Sequence, residues 1–472
     1  MKAAWLVFTL LFFSSAAVFQ SAAEQTKADQ KPLAEVRSKA DAGDADSQAE
    51  LGLRYIKGED VAKDPVEAVK WFRKSAEQNC ARGQFDLGLS YEEGTGVTKD
   101  AVEAVKWYRR AAEQNYAKAQ YALGGCYSSG EGVVKDEVEA VKWFRKAAEQ
   151  NLAVAQFLLG SCYTNGEGVT KDPAEAVKWY RNAAEQNFVL GQFALGACYY
   201  DGEGVAKDPA EAVKWYRKAA EQNHARAQYN LGVCYAHGEG VAKDSVEAAK
   251  WYRKAAEQNH ARAQYNLGLC YARGEGVVKD EVEAVKWFRK AAEQNFANAQ
   301  YDLGVCLSNG TGVAKDPVEA VTWYRKVAEQ NFPAAQYNLG VCYAEGQGVA
   351  KDLVEAVKWY RKAAEQDFAP AESNLAVCYA AGAGVGKDQV EAVRWSRKAA
   401  EQNLPLAQHM LGICYAQGEG VAIDPAEAYK WVSLAAKQGD EKAKKTMALL
   451  ETKMTPEQIA EGQKRARDFK PR

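Results

Sequence analysis

Residues 116–151 read YAKAQYALGGCYSSGEGVVKDEVEAVKWFRKAAEQN, and this stretch of 36 residues decides the fold. Its tryptophan, Trp143, has counterparts every 36 residues from Trp71 to Trp431, which makes eleven in all. Composition bias cannot keep so strict an interval, so the chain is predicted to contain eleven repeats over 44–439. A repeat this short cannot bury its own apolar face and must stack on its neighbours.

The first half of the repeat predicts a helix that ends in a glycine turn. Ala119 and Leu123 begin a four-residue spacing of apolar side chains, which is typical of one buried helix face. Gly124 lies beside them, and its missing side chain would let a neighbouring helix come close. The helix is expected to stop at Gly130, where a Gly-x-Gly turn follows.

The second half predicts another helix with a defined start and end. Asp136 stands where an N-cap is needed, and Glu139 three residues later would complete a capping box. Several repeats place proline directly after this aspartate, where its missing N–H costs nothing. Asn151 is expected to end the helix because asparagine tolerates a left-handed backbone.

The recurring motif A-x-x-x-L-G-x-x-Y…G-x-G-V…D…A-x-x-W-Y…A-A resembles the Sel1-like repeat, a relative of the tetratricopeptide repeat. The resemblance covers about 44–450. It implies an all-α, right-handed α/α superhelical solenoid of eleven helix-turn-helix repeats that serves as an adaptor for other proteins. Bacterial members of the family are associated with signalling, envelope functions and host contact.

The N-terminal segment is predicted to be a secretory signal peptide over 1–23. Lys2 supplies a positive charge, residues 3–13 are almost wholly apolar, and three small residues precede a cleavage site before Glu24. An uncleaved membrane anchor is the alternative. With cleavage, no other segment is apolar enough to cross a membrane, so the mature chain is expected in the periplasm or outside the cell.

The segments that flank the repeats are predicted to be caps. Residues 24–43 would form a polar linker and an N-terminal capping helix, and residues 440–472 would form C-terminal capping helices and a tail. Polar outer faces at both ends keep a stack of repeats soluble.

Charge argues against two classes of partner. Lysine and arginine number 61, and aspartate and glutamate number 63, which gives a net charge of -2. Because the two signs of charge are so nearly equal in number, the chain has no excess positive charge that would attract nucleic acid or an anionic membrane surface.

Nine of the ten cysteines follow the 36-residue period, one in each of repeats 3–11, and Arg54 and Ser90 take the position in the first two repeats. A disulfide would have to join neighbouring repeats, but packed helices stand about 8–10 Å apart and a disulfide needs Cα atoms closer than about 7 Å. We interpret the cysteines as small apolar core residues. The related cysteine-rich Sel1-like proteins carry two cysteines per repeat joined within it. Their suggested penicillin-binding or weak β-lactamase activity is associated with a pattern from which this chain departs.

The sequence contains no recognisable catalytic or metal constellation. No H-E-x-x-H pair occurs, and no cysteine–histidine cluster has zinc spacing. The Gly-x-Gly turns lack the preceding strand and the third glycine of a dinucleotide site. We therefore predict no catalytic residue, no cofactor and no metal.

An aromatic residue follows the glutamine in the first helix of most repeats. In the tetratricopeptide relatives the corresponding position lines the concave groove, so the resemblance implies that these aromatics and two arginines face a binding groove. Ordinary packing between adjacent first helices is the alternative, and tyrosine can combine both roles. The candidate concave-face residues are Tyr121, Phe157, Phe193, Tyr229, Tyr265, Tyr301, Tyr337, Arg226 and Arg262.

These observations predict a non-catalytic scaffold or adaptor that binds a protein or peptide partner in the cell envelope or outside the cell. Two alternatives stay open. The aromatic stripe could bind a glycan or peptidoglycan, because exposed tyrosine rings stack on sugars. The chain could also be a weak β-lactamase-like or other cell-wall enzyme.

Overall fold

The computed structural model describes residues 32–471, and every regular element in this range is an α-helix. The predicted all-α fold of eleven two-helix repeats is confirmed. The helices are α1 Leu33–Asp41, α2 Ala45–Lys57, α3 Pro65–Glu77, α4 Ala81–Glu93, α5 Ala101–Glu113, α6 Ala117–Ser129, α7 Glu137–Glu149, α8 Ala153–Asn165, α9 Pro173–Glu185, α10 Val189–Asp201, α11 Pro209–Glu221, α12 Ala225–His237, α13 Ser245–Glu257, α14 Ala261–Arg273, α15 Glu281–Glu293, α16 Ala297–Asn309, α17 Pro317–Ala328, α18 Pro333–Glu345, α19 Leu353–Ala364, α20 Ala369–Ala381, α21 Gln389–Glu401, α22 Pro405–Gln417, α23 Pro425–Lys437, α24 Glu441–Glu451 and α25 Pro456–Asp468.

Each repeat is a helical hairpin, with an even-numbered first helix and the odd-numbered second helix that follows it. Repeat 1 is α2 and α3, and repeat 11 is α22 and α23. The first helix of a repeat packs both on its own second helix and on the second helix of the preceding repeat. The chain divides into two compact units, unit 1 up to Lys243 and unit 2 from Asp244, so the division falls inside repeat 6.

The helix ends follow the sequence signals, with one difference. The Asp136 carboxylate accepts a hydrogen bond from the Glu139 N–H at 3.0 Å, so the N-cap is confirmed. The capping box predicted at this position is wrong, because the Glu139 carboxylate pairs instead with Lys142, whose Nζ lies 2.9 Å away. Asn151 adopts a φ of 65° and ends α7 as predicted.

Two kinds of glycine allow the helices to approach each other. A Cβ atom added to Gly124 in α6 would lie 2.7 Å from a ring carbon of Phe144 in α7, so this position has to lack a side chain. Gly132, in the turn between these helices, has a φ of 73°. A Cβ atom there would lie 2.1 Å from the carbonyl oxygen of Ala101 at the start of α5. The turn of repeat 3 therefore rests directly on the backbone of repeat 2.

Within each unit, neighbouring repeats contribute to shared buried clusters. In unit 2, Trp359 of repeat 9 belongs to the buried cluster that contains Tyr324 of repeat 8 and Phe288 of repeat 7. The ammonium group of Lys362 lies 4.0 Å from the centre of the Trp359 ring and covers one of its faces. Tryptophan therefore joins neighbouring repeats.

Helices outside the eleven repeats cover both ends. Val36 and Ala40 of α1 pack against Leu51 of repeat 1. At the other end, the ring of Phe469 meets Trp431 edge to face at a centroid distance of 5.1 Å. The signal peptide predicted over 1–23 lies outside the described residues, and so do residues 24–31 of the predicted linker. Within residues 32–471 no helix is long and apolar enough to cross a membrane.

Candidate protein-binding face

The predicted aromatic stripe lies on the first helices and serves partly as core. Tyr265 is half-buried, and its ring packs against Phe288 of its own repeat and Phe296 of the next, at centroid distances of 5.7 and 5.2 Å. Tyr301 and Tyr337 have the same two kinds of aromatic neighbour. The stripe therefore packs between repeats, which was the alternative that the sequence left open.

The hydroxyl groups of Tyr265 and Tyr301 hydrogen-bond to the next first helix. Tyr265 donates to Oδ2 of Asp302 at 2.9 Å. The hydroxyl of Tyr301 accepts a longer hydrogen bond, 3.4 Å, from the side-chain amide of Asn338. Both roles of tyrosine are therefore present, with the ring in the core and the polar edge at the surface between first helices.

The remaining candidate residues vary in exposure. In unit 1, Phe157 is buried, whereas Tyr121, Phe193, Tyr229 and Arg226 are half-buried. In unit 2, Arg262 is exposed. Arg226 and Arg262 lie in different units.

Two further rows of side chains lie beside the tyrosines of unit 2, and the sequence prediction missed both. One residue after each stripe tyrosine stands a short polar side chain, and four residues after it stands an aliphatic one. The aliphatic side chain shares the helix face of the tyrosine, and the polar side chain lies about 100° round the helix from it. The 36-residue pattern did not predict the polar and aliphatic rows, because the residue at each of these two positions varies from repeat to repeat. We name this surface the unit 2 face; it comprises Tyr265, Tyr301, Tyr337, Asn266, Asp302, Asn338, Asn374, Leu269, Val305, Val341 and Val377.

The unit 2 face is chemically distinct from its counterpart in unit 1. Its aliphatic row is half-buried at Leu269, Val305 and Val341, and Val377 is 43% exposed. In unit 1 the same repeat position is Gly125, Ser161 or Ala197 in the middle three repeats. Only unit 2 therefore offers a continuous combination of aliphatic side chains, amides and hydroxyls on its first helices.

The polar row is held in place by tyrosines from the second helices. The hydroxyl groups of Tyr324 and Tyr360, which are otherwise buried, reach Asn338 and Asn374 of the following repeat. In repeat 4 the equivalent Tyr180 hydroxyl instead meets Thr164 Oγ1 at 3.0 Å. A second-helix tyrosine thus has a polar partner on a first helix, as buried hydroxyls require.

Phe72 in repeat 1 breaks this rule and leaves a small cavity. It has no hydroxyl group, yet the partner position in repeat 2 carries Asp86, which is 7% exposed and whose Oδ2 has no hydrogen-bond partner among the described residues. Burial raises the pKa of Asp86 to about 7, although Arg82 lies 4.0 Å away. Both Phe72 and Asp86 line the cavity, together with Ile56.

Phe72→Tyr should therefore stabilise unit 1 by about 1 kcal/mol, because the new hydroxyl would enter this cavity and donate to Asp86. A carboxyl whose folded pKa is raised is costly above its unfolded pKa of about 4, and a donor removes part of that cost. The gain should therefore be larger at pH 8 than at pH 5. Urea unfolding of the full chain at both pH values measures it.

The control for this substitution is taken from the chain itself. In repeats 3 and 4 the same pair is Phe144 with Leu158, and both side chains are buried in one apolar cluster. Asp86→Leu recreates that pair at repeats 1 and 2. Phe72→Tyr should give no gain in an Asp86→Leu background, and an equal gain in both backgrounds would contradict the explanation.

The cysteines are all free and mostly withdrawn from solvent. Burial raises the pKa of Cys126 and Cys162 to about 12 and that of Cys342 to about 11. These thiols stay protonated at neutral pH and are weak nucleophiles. Within the described part of the chain, no group of three or more histidine, cysteine, aspartate or glutamate side chains is arranged to hold a metal ion.

The repeats match a known family along almost their entire length. The model of the Sel1 repeat matches eleven consecutive segments, and the chain belongs to the Sel1 repeat family. Proteins of this family generally mediate protein–protein interactions and are typically non-enzymatic. The matched segments are 45–80, 81–116, 117–152, 153–188, 189–224, 225–260, 261–296, 297–332, 333–368, 369–404 and 405–440.

The solved structures that are similar to this chain include two bacterial repeat proteins. A protective antigen present in uropathogenic Escherichia coli strains, with an SLR fold, is 37% identical, with 93% of this chain and 94% of that chain covered and a TM-score of 0.86. A Sel1 repeat protein from Oxalobacter formigenes is 34% identical over 66% of this chain and 89% of that chain, with a TM-score of 0.50. Among curated proteins no match was found.

Proposed function

We propose that this chain is a non-catalytic scaffold that binds an extended segment of a partner protein along the unit 2 face. The observation that carries the proposal is the run of tyrosine hydroxyls over repeats 7–9 beside polar and aliphatic side chains over repeats 7–10; the polar side chain is an amide in each of these repeats except repeat 8, where Asp302 stands. Asparagine amides donate and accept, so they suit the peptide groups of a partner backbone. The aliphatic row suits apolar side chains of the same segment.

An extended segment can meet several repeats in succession. Hydroxyls of the unit 2 face reach the next first helix, as Tyr265 does at Asp302 and Tyr301 at Asn338, so the polar surface continues from one repeat to the next. Contacts of this kind are individually modest, and several repeats in succession are needed for useful affinity.

The packing of the tyrosines favours a protein partner over a glycan. Sugars stack on the open faces of aromatic rings, but the rings of Tyr301 and Tyr337 each pack between two aromatic neighbours. What remains at the surface is the hydroxyl edge, which forms hydrogen bonds. The cell-wall enzyme alternative has no supporting site in the described residues, and the family is typically non-enzymatic.

Removing three hydroxyl groups from the unit 2 face should weaken partner binding about tenfold to a thousandfold, since each neutral hydrogen bond contributes about 0.5–1.5 kcal/mol. The variant combines Tyr265→Phe, Tyr301→Phe and Tyr337→Phe. Phenylalanine keeps the ring packing and occurs naturally at this position in Phe157. The partner is identified by crosslinking in the native cell, and its affinity for the purified full chain is then measured by calorimetry.

The matched control makes the same chemical change on unit 1. Tyr121→Phe with Tyr229→Phe should leave the affinity within about twofold, and circular dichroism should show full helicity in both variants. A loss of affinity that is equal in the two variants, or no loss in either, would remove the unit 2 face from the proposal.

We also propose that the chain is exported to the periplasm or secreted. The support is the sequence pattern over 1–23, with Lys2, the apolar stretch 3–13 and small residues before Glu24. We expect the mature protein, purified from native cells, to begin at Glu24. Mass spectrometry of its N-terminal peptide tests this expectation, and a mature protein that retains residues 1–23 in the cytoplasmic fraction would refute it.

A further inference from the structure

In repeats 2–9 and 11, a buried glutamine joins the first helix to the preceding repeat. In repeat 9, Gln336 is 1% exposed, and its Nε2 donates to the carbonyl oxygen of Ala328 and to Oδ1 of Asn331, both at 3.1 Å. Its Oε1 accepts a hydrogen bond of 2.8 Å from Gln366 of the same repeat. Both polar atoms of the Gln336 side chain, Nε2 and Oε1, are therefore hydrogen-bonded to neutral amide groups.

The contact between repeats 9 and 10 replaces both amides by acids. Glu372 stands in place of the glutamine, and Asp367 stands in place of the asparagine. Oε2 of Glu372 accepts a hydrogen bond of 2.8 Å from Gln402, as the glutamine oxygen does elsewhere. Oε1 therefore takes the place of the amide donor, and it has no hydrogen-bond partner among the described residues.

The carboxyl group of Glu372 lies in surroundings that disfavour its charge. Its side chain is fully buried, and this burial is the main reason that its pKa is raised to about 7. Asp367 and Glu401 raise it further, whereas Lys398 and the hydrogen bond from Gln402 act in the opposite direction. Lys398 is shared with Asp367, whose Oδ1 lies 3.5 Å from its Nζ.

We propose that Glu372 binds a proton in the folded chain, and that release of this proton loosens the contact between α19 and α20. The protonated Glu372 carboxyl would supply an O–H donor at the position where the glutamine side chain of the other repeats supplies an N–H donor. The acceptors would be the Ala364 carbonyl oxygen and the Asp367 carboxylate, which replace the acceptors of the glutamine. Without the proton, the Glu372 carboxylate faces the Ala364 carbonyl oxygen and the Asp367 carboxylate in a buried site that lacks a hydrogen-bond donor. The contact between α19 and α20 then costs less free energy to open.

The direction of the pH dependence follows from linkage. In the opened state Glu372 titrates near its ordinary pKa of about 4.3, and in the closed state it titrates near 7. Between these values the closed state holds one more proton, so closing is favoured less and less as the pH rises. Above about pH 7 the penalty is complete and no longer changes.

Hydrogen exchange of the full chain, read by mass spectrometry, tests the proposal with Glu372→Gln, which restores the usual amide. Rates in wild type and variant are compared at the same pH, so that intrinsic exchange cancels. At pH 5 the peptides of α19 and α20 should exchange about equally in the two proteins. At pH 8 they should exchange about tenfold faster or more in the wild type, whereas peptides of α14 and α16 should not differ.

The mirror variant moves the acids to another repeat. Asn331→Asp with Gln336→Glu should create the same pH-dependent exchange at α18, and Asp367→Asn should reduce the effect at α20. A wild-type to Glu372→Gln ratio that is constant from pH 5 to pH 8, or largest at pH 5, would overturn the proposal. Because Glu372→Gln restores the sequence of the other repeats, it is expected to fold even where the mirror variant does not.

Discussion

Gly132→Ala should destabilise unit 1 by about 3 kcal/mol or more. The new Cβ atom would lie 2.1 Å from the Ala101 carbonyl oxygen, and backbone atoms cannot move aside as a side chain does. The φ of 73° at this residue adds a cost of its own for any residue with a side chain.

The neighbouring turn glycine separates these two costs. Gly130 also has a positive φ, 79°, but a Cβ atom there would meet only the side chain of Lys135 at 3.2 Å. Gly130→Ala should therefore cost only about 1–2 kcal/mol, the penalty of the left-handed backbone. Urea unfolding followed by circular dichroism gives both values, and equal losses in the two variants would refute the importance of contact between the turn and Ala101.

Gln120→Leu should destabilise unit 1 by about 2–4 kcal/mol although leucine is the more apolar residue. Gln120 is 1% exposed, and its Nε2 donates to the Ala112 carbonyl oxygen at 3.2 Å and to Asn115 at 3.1 Å. Gln150 donates to its Oε1 at 2.6 Å. Leucine would leave three polar groups of two repeats without their partner in a site that excludes water.

A surface substitution in the same repeat is the control. The Lys142 side chain is 63% exposed and, among the described residues, forms an ion pair only with Glu139, so Lys142→Leu should change the stability by about 0.5 kcal/mol or less. The measurement is again urea unfolding, with hydrogen exchange to confirm that the loss is centred on repeats 2 and 3. A Gln120→Leu variant as stable as Lys142→Leu would show that the buried amides do not hold the repeats together.

Most of the fold could be predicted because the buried face and the two ends of a helix are marked by residues within that helix or next to it. The four-residue spacing from Ala119, the turn at Gly130 and the helix end at Asn151 all concern residues within one helix or its flanking turn. The same short range explains the error at Glu139. An acidic residue three positions after an N-cap can complete a capping box or pair with a lysine. Here the Glu139 carboxylate pairs with Lys142.

The candidate site was predictable only in part. The stripe tyrosines were found because they recur with the repeat, but whether Tyr265 would face its own repeat, the next repeat or solvent depends on three helices at once. The asparagine and aliphatic rows were missed because each varies among repeats. Their common feature is a position on the assembled surface, for example Asn338 beside Tyr301, which is 37 residues away in sequence.

The sequence by itself determined the repeat length, the number of repeats and the two helices of each one, because these depend on contacts within about ten residues and on a period that any reader can count. Tertiary structure alone decided which glutamine oxygen meets which amide, that Phe72 leaves Asp86 without a donor, and that Glu372 is fully buried beside Asp367. The physical reason is that burial and hydrogen-bond partners are properties of neighbouring repeats in contact. A pattern within one helix reports only which of its sides turns inward.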